Sequence, residues 1–290
     1  MKRPFAVIDA DGHVLERDRE LREFLASEYR AIEGKREYPL FAWDGWARGA
    51  LSPHQREHPS VGLWLRFLDA TEIQLTVLYP NEGLNIGLQR DRDWAVALAR
   101  AYNDWLHHEF LRASPRFQGV ALLAPQDPVA AASELERAAK DLGMIAGMLP
   151  GVMSPMRGLG VPDFDPIFRA AERLDIPLAV HSGPAVELGL DHMQSFAGVY
   201  PLSHPFAQMQ QLTSMMIYGV FERFPLCASP TWNPAAVGCL TSRTVWTKAG
   251  NIAVSGGRIR PNARRAKSCA AEICFMRANA KKERFQPWPS

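Results

Sequence analysis

At 290 residues with 47% apolar content, the chain is long enough to bury a sizeable core, which excludes a disordered protein. Its net charge of +2 averages two unlike parts: residues 227–290 carry eleven Lys/Arg against two Asp/Glu, whereas the preceding 226 residues carry 22 against 29. No run approaches the roughly 20 apolar residues of a membrane helix. The apolar stretch in MKRPFAVIDA is broken by Asp9 and Asp11, which excludes the core of a secretory signal, so a soluble, cytoplasmic protein is expected.

From the N-terminus, FAVIDADGHV reads as a buried strand ending in a polar cluster, the pattern by which a parallel strand delivers side chains to a site at its C-terminal end. Residues 39–65, with Trp43, Trp46 and Trp64 and little regular period, read as an insertion over the mouth of the fold. Strands of the first kind recur at IQLTVLYP (73–80), QGVALLAP (118–125), MIAGMLPG (144–151) and IPLAVHSG (176–183). Between them 91–113, 128–142 and 165–175 have helical period. Strand and helix alternating at this spacing predict a parallel sheet with helices outside, and five strands before residue 184 fit a (β/α)8 TIM barrel. A doubly wound open sheet is the competing architecture, but DADGHVLE after the first strand has no Gly-rich phosphate cradle.

Asp11 and His13 stand two apart at the end of the first strand, where alternate residues share a face. His181 ends the fifth strand in the same manner. Nitrogen and oxygen donors gathered from separate strand ends suit a divalent cation with a position left open for water or substrate. Each residue has a plainer reading as well: Asp11 as a helix cap, His13 as a satisfied buried histidine, His181 as a strand end without a role.

Taken in order, VIDADGHVLE, LYPNEGL, RAYNDWL, QGVALLAPQDP, LGMIAGMLPG, FDPIFRAAERLDIPLAVHSG and SHPFAQM…IYGVFERFP resemble the amidohydrolase-related family of aminocarboxymuconate-semialdehyde decarboxylase-like barrel enzymes, colinearly from Phe5 to Pro225. The resemblance implies a (β/α)8 barrel with one divalent metal, zinc or alternatively manganese. It implies Asp11, His13 and His181 as metal ligands and Glu16 as the acidic residue completing the first-strand motif, with Glu16 and His204 as catalytic candidates. His204 falls at the start of a predicted helix, where capping or packing is an equal reading. The implied activity is hydrolysis or decarboxylation of a small carboxylic or aromatic acid, by a chain that could also be a homo-oligomer.

The resemblance stops near Leu226, and all four cysteines (Cys227, Cys239, Cys269, Cys274) lie beyond it. With permitted codons, reading Pro230–Leu240 one frame over gives Tyr-Leu-Glu-Ser-Gly-Cys-Gly-Trp-Leu-Pro, a family-like continuation, and SCAAEICFMRANAKKERFQ behaves alike. The expectation is therefore a partial barrel over 1–226, lacking its last strands and last metal ligand, followed by a basic, poorly ordered, out-of-frame tail over 227–290. Such a chain would fold poorly or bind metal weakly, because an unclosed barrel leaves strand edges unpaired. The alternative is a catalytically silent barrel whose basic residues, among them Arg258, Arg260, Arg264, Arg265 and Lys267, bind nucleic acid or an acidic partner.

Overall fold

The computed structural model describes residues 7–30 and 59–225. Both the expected tail, 227–290, and most of the Trp-rich insertion, 39–58 with Trp43 and Trp46, lie outside the described residues.

Five parallel strands form one sheet in sequence order: β1 (Ile8–Val14), β2 (Leu75–Pro80), β3 (Phe117–Leu122), β4 (Ala146–Pro150) and β5 (Leu178–His181). The longer helices among the described residues are α1 (Val61–Ala70), α2 (Arg92–Leu106, continued by a π turn over His107–Leu111), α3 (Pro128–Asp141), α4 (Asp165–Leu174) and α5 (Phe196–Ile217). Strand order without reversal is the order of a barrel, not of a doubly wound sheet. Curvature follows from one distance. In a flat sheet, strands four places apart lie about 19 Å from each other, yet the His13 and His181 rings, on β1 and β5, are 5.0 Å apart. The sheet is curled into an incomplete (β/α)8 barrel.

The predicted elements form for local reasons. β4 is buried at every position, and β3 at all but Gln118, so they read as continuous apolar runs. Helix α2 starts where the Asp91 side chain accepts the Trp94 amide at 3.0 Å, and it buries Trp94, Leu98, Tyr102 and Trp105 along one face. Helix α3 starts at Asp127, which accepts the Val129 and Ala130 amides, with Pro128 in the first turn.

Two expectations need correction. Trp64 is not part of an irregular cover over the mouth: Val61, Trp64, Leu65 and Leu68 recur at helical spacing on α1, and Trp64 lies beside Gly12. Gly12 is opposite in direction to the barrel-facing His13, so α1 packs outside the strands. His204 is not at a helix start either. Ser-His-Pro imitates a cap followed by a first-turn proline, but α5 begins earlier, where Ser195 Oγ accepts the Gly198 amide at 3.2 Å, and it carries Pro201 and Pro205 inside.

Candidate metal centre

Register fixes which residues face the barrel interior. His13 pairs with Tyr79 and Pro150 with His181, and alternation puts Val77, Tyr79, Met148, Ala179 and His181 on the inner face. The β1–β2 register shifts between Asp9 and Gly12, a bulge of the kind that re-aims side chains next to sites. Gly12 faces the opposite way into a tight space, where a side-chain carbon would collide with Thr76 Oγ1. Thr76 is fully buried and hydrogen-bonds Asp9 Oδ2 at 2.7 Å, so it cannot turn aside freely. Gly12→Ala is expected to cost about 1–3 kcal/mol in urea unfolding and, by pushing β1 off β2, to weaken cation binding in calorimetric titration.

The structure brings Asp11, His13 and His181 together, with one donor atom from each within 4.8 Å of the others. Asp11 Oδ1 lies 3.6 Å from His13 Nε2 and 3.4 Å from His181 Nε2. Both imidazoles are oriented from behind. His13 Nδ1 is 2.8 Å from the Pro80 carbonyl and His181 Nδ1 is 2.7 Å from the Ser182 carbonyl. A carbonyl only accepts, so each Nδ1 carries the proton and each Nε2 of a neutral ring presents a lone pair. Apart from Asp11 Oδ1, the buried His181 Nε2 has no polar partner among the described residues.

Three electron-pair donors facing one another repel unless something positive sits between them. A divalent cation fits this set, and backbone carbonyls behind the ligand rings are what holds such histidines in place. A proton is its competitor. Burial pushes His13 towards the neutral form, but the Asp11 carboxylate and the Pro80 carbonyl raise its pKa above the ordinary value. Burial likewise opposes charge on Asp11, and hydrogen bonds and charge from His13 and His181 outweigh it, holding the carboxyl well below the usual range. A cation must displace the His13 proton, so affinity should be full above the raised His13 pKa. Below it affinity should fall by about tenfold per pH unit, which titrations of Zn²⁺ or Mn²⁺ across pH 5–8 would read.

Around this set, the Tyr79 ring lies 6.0 Å from His13 and 5.5 Å from His181. Burial, then the Asp11 charge, pushes the Tyr79 phenol up to about 12. Tyr79 was not singled out from sequence, although period-two alternation from Val77 puts it on the inner face. The His204 ring lies 6.5 Å from His181, and burial followed by repulsion from His181 lowers its pKa. Glu16 is buried and accepts from the amides of Asn81 and Gly83, both at 3.0 Å, which ties the end of β1 to the turn after β2.

Residues 8–228 match the Amidohydrolase family, a span that contains all five strands. The chain belongs to that family. Among its relatives is the gamma-resorcylate decarboxylase of Rhizobium radiobacter, 33% identical over 122 residues, which are 40% of this chain and 37% of that protein. Among solved structures, the 5-carboxyvanillate decarboxylase of Novosphingobium aromaticivorans, complexed with manganese and 4-hydroxy-3-methoxy-5-nitrobenzoic acid, is 26% identical with a TM-score of 0.55 over 77% of this chain and 63% of that one. The 2,6-dihydroxybenzoate decarboxylase from Rhizobium, 20% identical with a TM-score of 0.53 over 76% of this chain and 64% of that one, shares the fold. The chain thus spans less than two thirds of the length of each of these amidohydrolase relatives. No helix among the described residues is long and apolar enough to cross a membrane.

Proposed function

We propose that this chain carries the metal site of a decarboxylase acting on a small hydroxylated aromatic acid, with Asp11, His13 and His181 as ligands of one divalent cation, manganese or zinc. The observation that supports it most is the meeting of three electron-pair donors from β1 and β5 with both imidazole Nδ1 atoms turned to backbone carbonyls. When bound, such a cation acts as a Lewis acid towards a substrate oxygen. The family membership and the decarboxylases among the relatives support the reaction class.

Decarboxylation breaks the bond between ring carbon and carboxylate, releases CO2 and requires a proton at the vacated carbon. His204 is the residue we assign to moving that proton. Its ring stands 6.5 Å from that of His181, beside the proposed ligand set, which supports the assignment. Glu16 acts by position: its contacts with Asn81 and Gly83 hold the β1 end that bears the ligands. In the described residues β1 and β5 each pair on one side only, which supports weak activity for the chain as it stands.

The test is elemental analysis of the purified protein after loading with Mn²⁺ or Zn²⁺, together with CO2 release from 2,6-dihydroxybenzoate. One equivalent of metal and slow, metal-dependent CO2 release are expected. Absence of bound metal would refute the ligand assignment, and metal binding with hydrolysis of aryl esters or amides but no CO2 would refute the reaction.

A further inference from the structure

The structure assigns to Ser203 a positioning role: its hydroxyl holds the neutral His204 ring as the Nδ1–H tautomer, so that Nε2 is the atom that carries and releases a proton. This rests on the proposed decarboxylase reading, in which His204 moves that proton, and it adds the group that decides which ring nitrogen does so.

Tyr200, Ser203 and His204 stand at i, i+3 and i+4 on α5, so their side chains share one face of the helix. Ser203 is buried, and its Oγ donates to the Tyr200 carbonyl at 3.2 Å while lying 3.2 Å from His204 Nδ1. A serine hydroxyl has one hydrogen, and a carbonyl can only accept. With that hydrogen given to Tyr200, Oγ offers His204 lone pairs alone, and the contact is a hydrogen bond only when Nδ1 carries the proton. The neutral ring then has its lone pair at Nε2. The Tyr200 ring meets the His204 ring at 5.2 Å with 63° between their planes, an edge-on contact that limits how far the imidazole can turn.

The consequence is chemical. Loss of CO2 leaves the electron pair of the broken bond on the ring carbon, and that carbon takes a proton. An imidazolium bears a proton on each nitrogen and can lose either. Giving up the Nδ1 proton would break the bond to Ser203, whereas giving up the Nε2 proton keeps it. Ser203 therefore directs release to Nε2 without rearrangement of the ring, as the orienting member of an acid–base set does for its histidine. A serine present only to serve the carbonyl of its own helix would act on Tyr200 and leave both His204 tautomers open.

The experiment uses the full chain with ¹⁵N-labelled histidine in wild type, Ser203→Ala and Ser203→Thr, at a pH where the rings are neutral. The His204 signals are identified by their absence in His204→Gln. In wild type Nδ1 should show the shift of a protonated ring nitrogen and Nε2 that of an unprotonated one. Ser203→Ala, which removes a single oxygen, should lose that pattern, and Ser203→Thr, which keeps the hydroxyl, should retain it. Zn²⁺ affinity should be the same in all three. With Mn²⁺ bound, kcat for CO2 release from 2,6-dihydroxybenzoate should fall about tenfold in the Ala variant at unchanged KM and recover in the Thr variant. A wild-type ring protonated on Nε2, or an Ala variant with the wild-type pattern, would overturn the assignment of Ser203. A changed tautomer with unchanged kcat would overturn its part in proton release. No CO2 release from wild type whose nitrogen shifts are as expected would overturn the decarboxylase reading and leave Ser203 as the group that sets the His204 tautomer.

Discussion

His181→Ala is expected to weaken divalent-cation binding by roughly 100-fold or more, since even loss of a group that merely orients a ligand costs 10–100-fold. His181 is the donor whose removal reads the site most cleanly. Its side chain is 4% exposed, its buried Nε2 faces Asp11 Oδ1, and its Nδ1 is held by the Ser182 carbonyl. It is also the only one of the three donors that does not come from β1, so its contribution depends on the sheet being curled. In the absence of metal the variant should melt a few degrees lower than wild type, because it loses the buried ring and its Nδ1 bond to Ser182. It should lose the stabilisation that Mn²⁺ or Zn²⁺ gives the wild type, a gain that binding of the native state alone produces. A metal-free variant that melts far lower, with cation affinity retained, would make His181 a packing residue.

How much of this could be read beforehand depended on whether the deciding interaction is local. β3 and β4 were legible because both faces are covered and the sequence becomes one apolar run. α4 was legible because Ile167, Phe168, Ala170 and Ala171 concentrate its burial on one face. The pair Asp11 and His13 was legible through alternation over two residues, and His181 through its place at a strand end. What alternation cannot give is the meeting of β1 with β5, which needs the accumulated curl of the sheet. Glu16 looked like part of the acidic motif, but its partners, the amides of Asn81 and Gly83, are 65 and 67 positions away. The start of α5 was misread because the stronger local signal, Ser203-His204-Pro205, lies inside a helix whose real cap is Ser195.

The other large effect is expected far from the metal, at Asn103. This residue is fully buried on α2, on the helix face that packs against β3, and a polar side chain there must find every partner it needs. It does so within one strand position. Asn103 Nδ2 donates to the Leu122 carbonyl at 3.1 Å, and the Leu122 amide donates to Asn103 Oδ1 at 2.8 Å, so the side chain serves the end of β3 as a neighbouring strand would. The same Nδ2 donates to Glu134 Oε1 at 2.8 Å on α3, and Glu134 is in turn paired with Arg137 at 2.7 Å. One amide therefore joins α2, β3 and α3. Asn103→Ala should leave the Leu122 amide and carbonyl buried without a partner, at about 1–3 kcal/mol each, and the measured loss in urea unfolding is expected at about 3–4 kcal/mol, since the two costs overlap. Asn103→Asp keeps the volume and one acceptor but has no N–H to give to Leu122 or Glu134, and it sets a second carboxylate against the first. If hydrogen bonding and not volume is what holds this junction, the Asp variant is as unstable as the Ala variant or worse, and the gap narrows at low pH as the carboxyls protonate. An Asp variant close to wild type in stability at pH 7 would show that filled space, rather than the shared amide, keeps β3 in place.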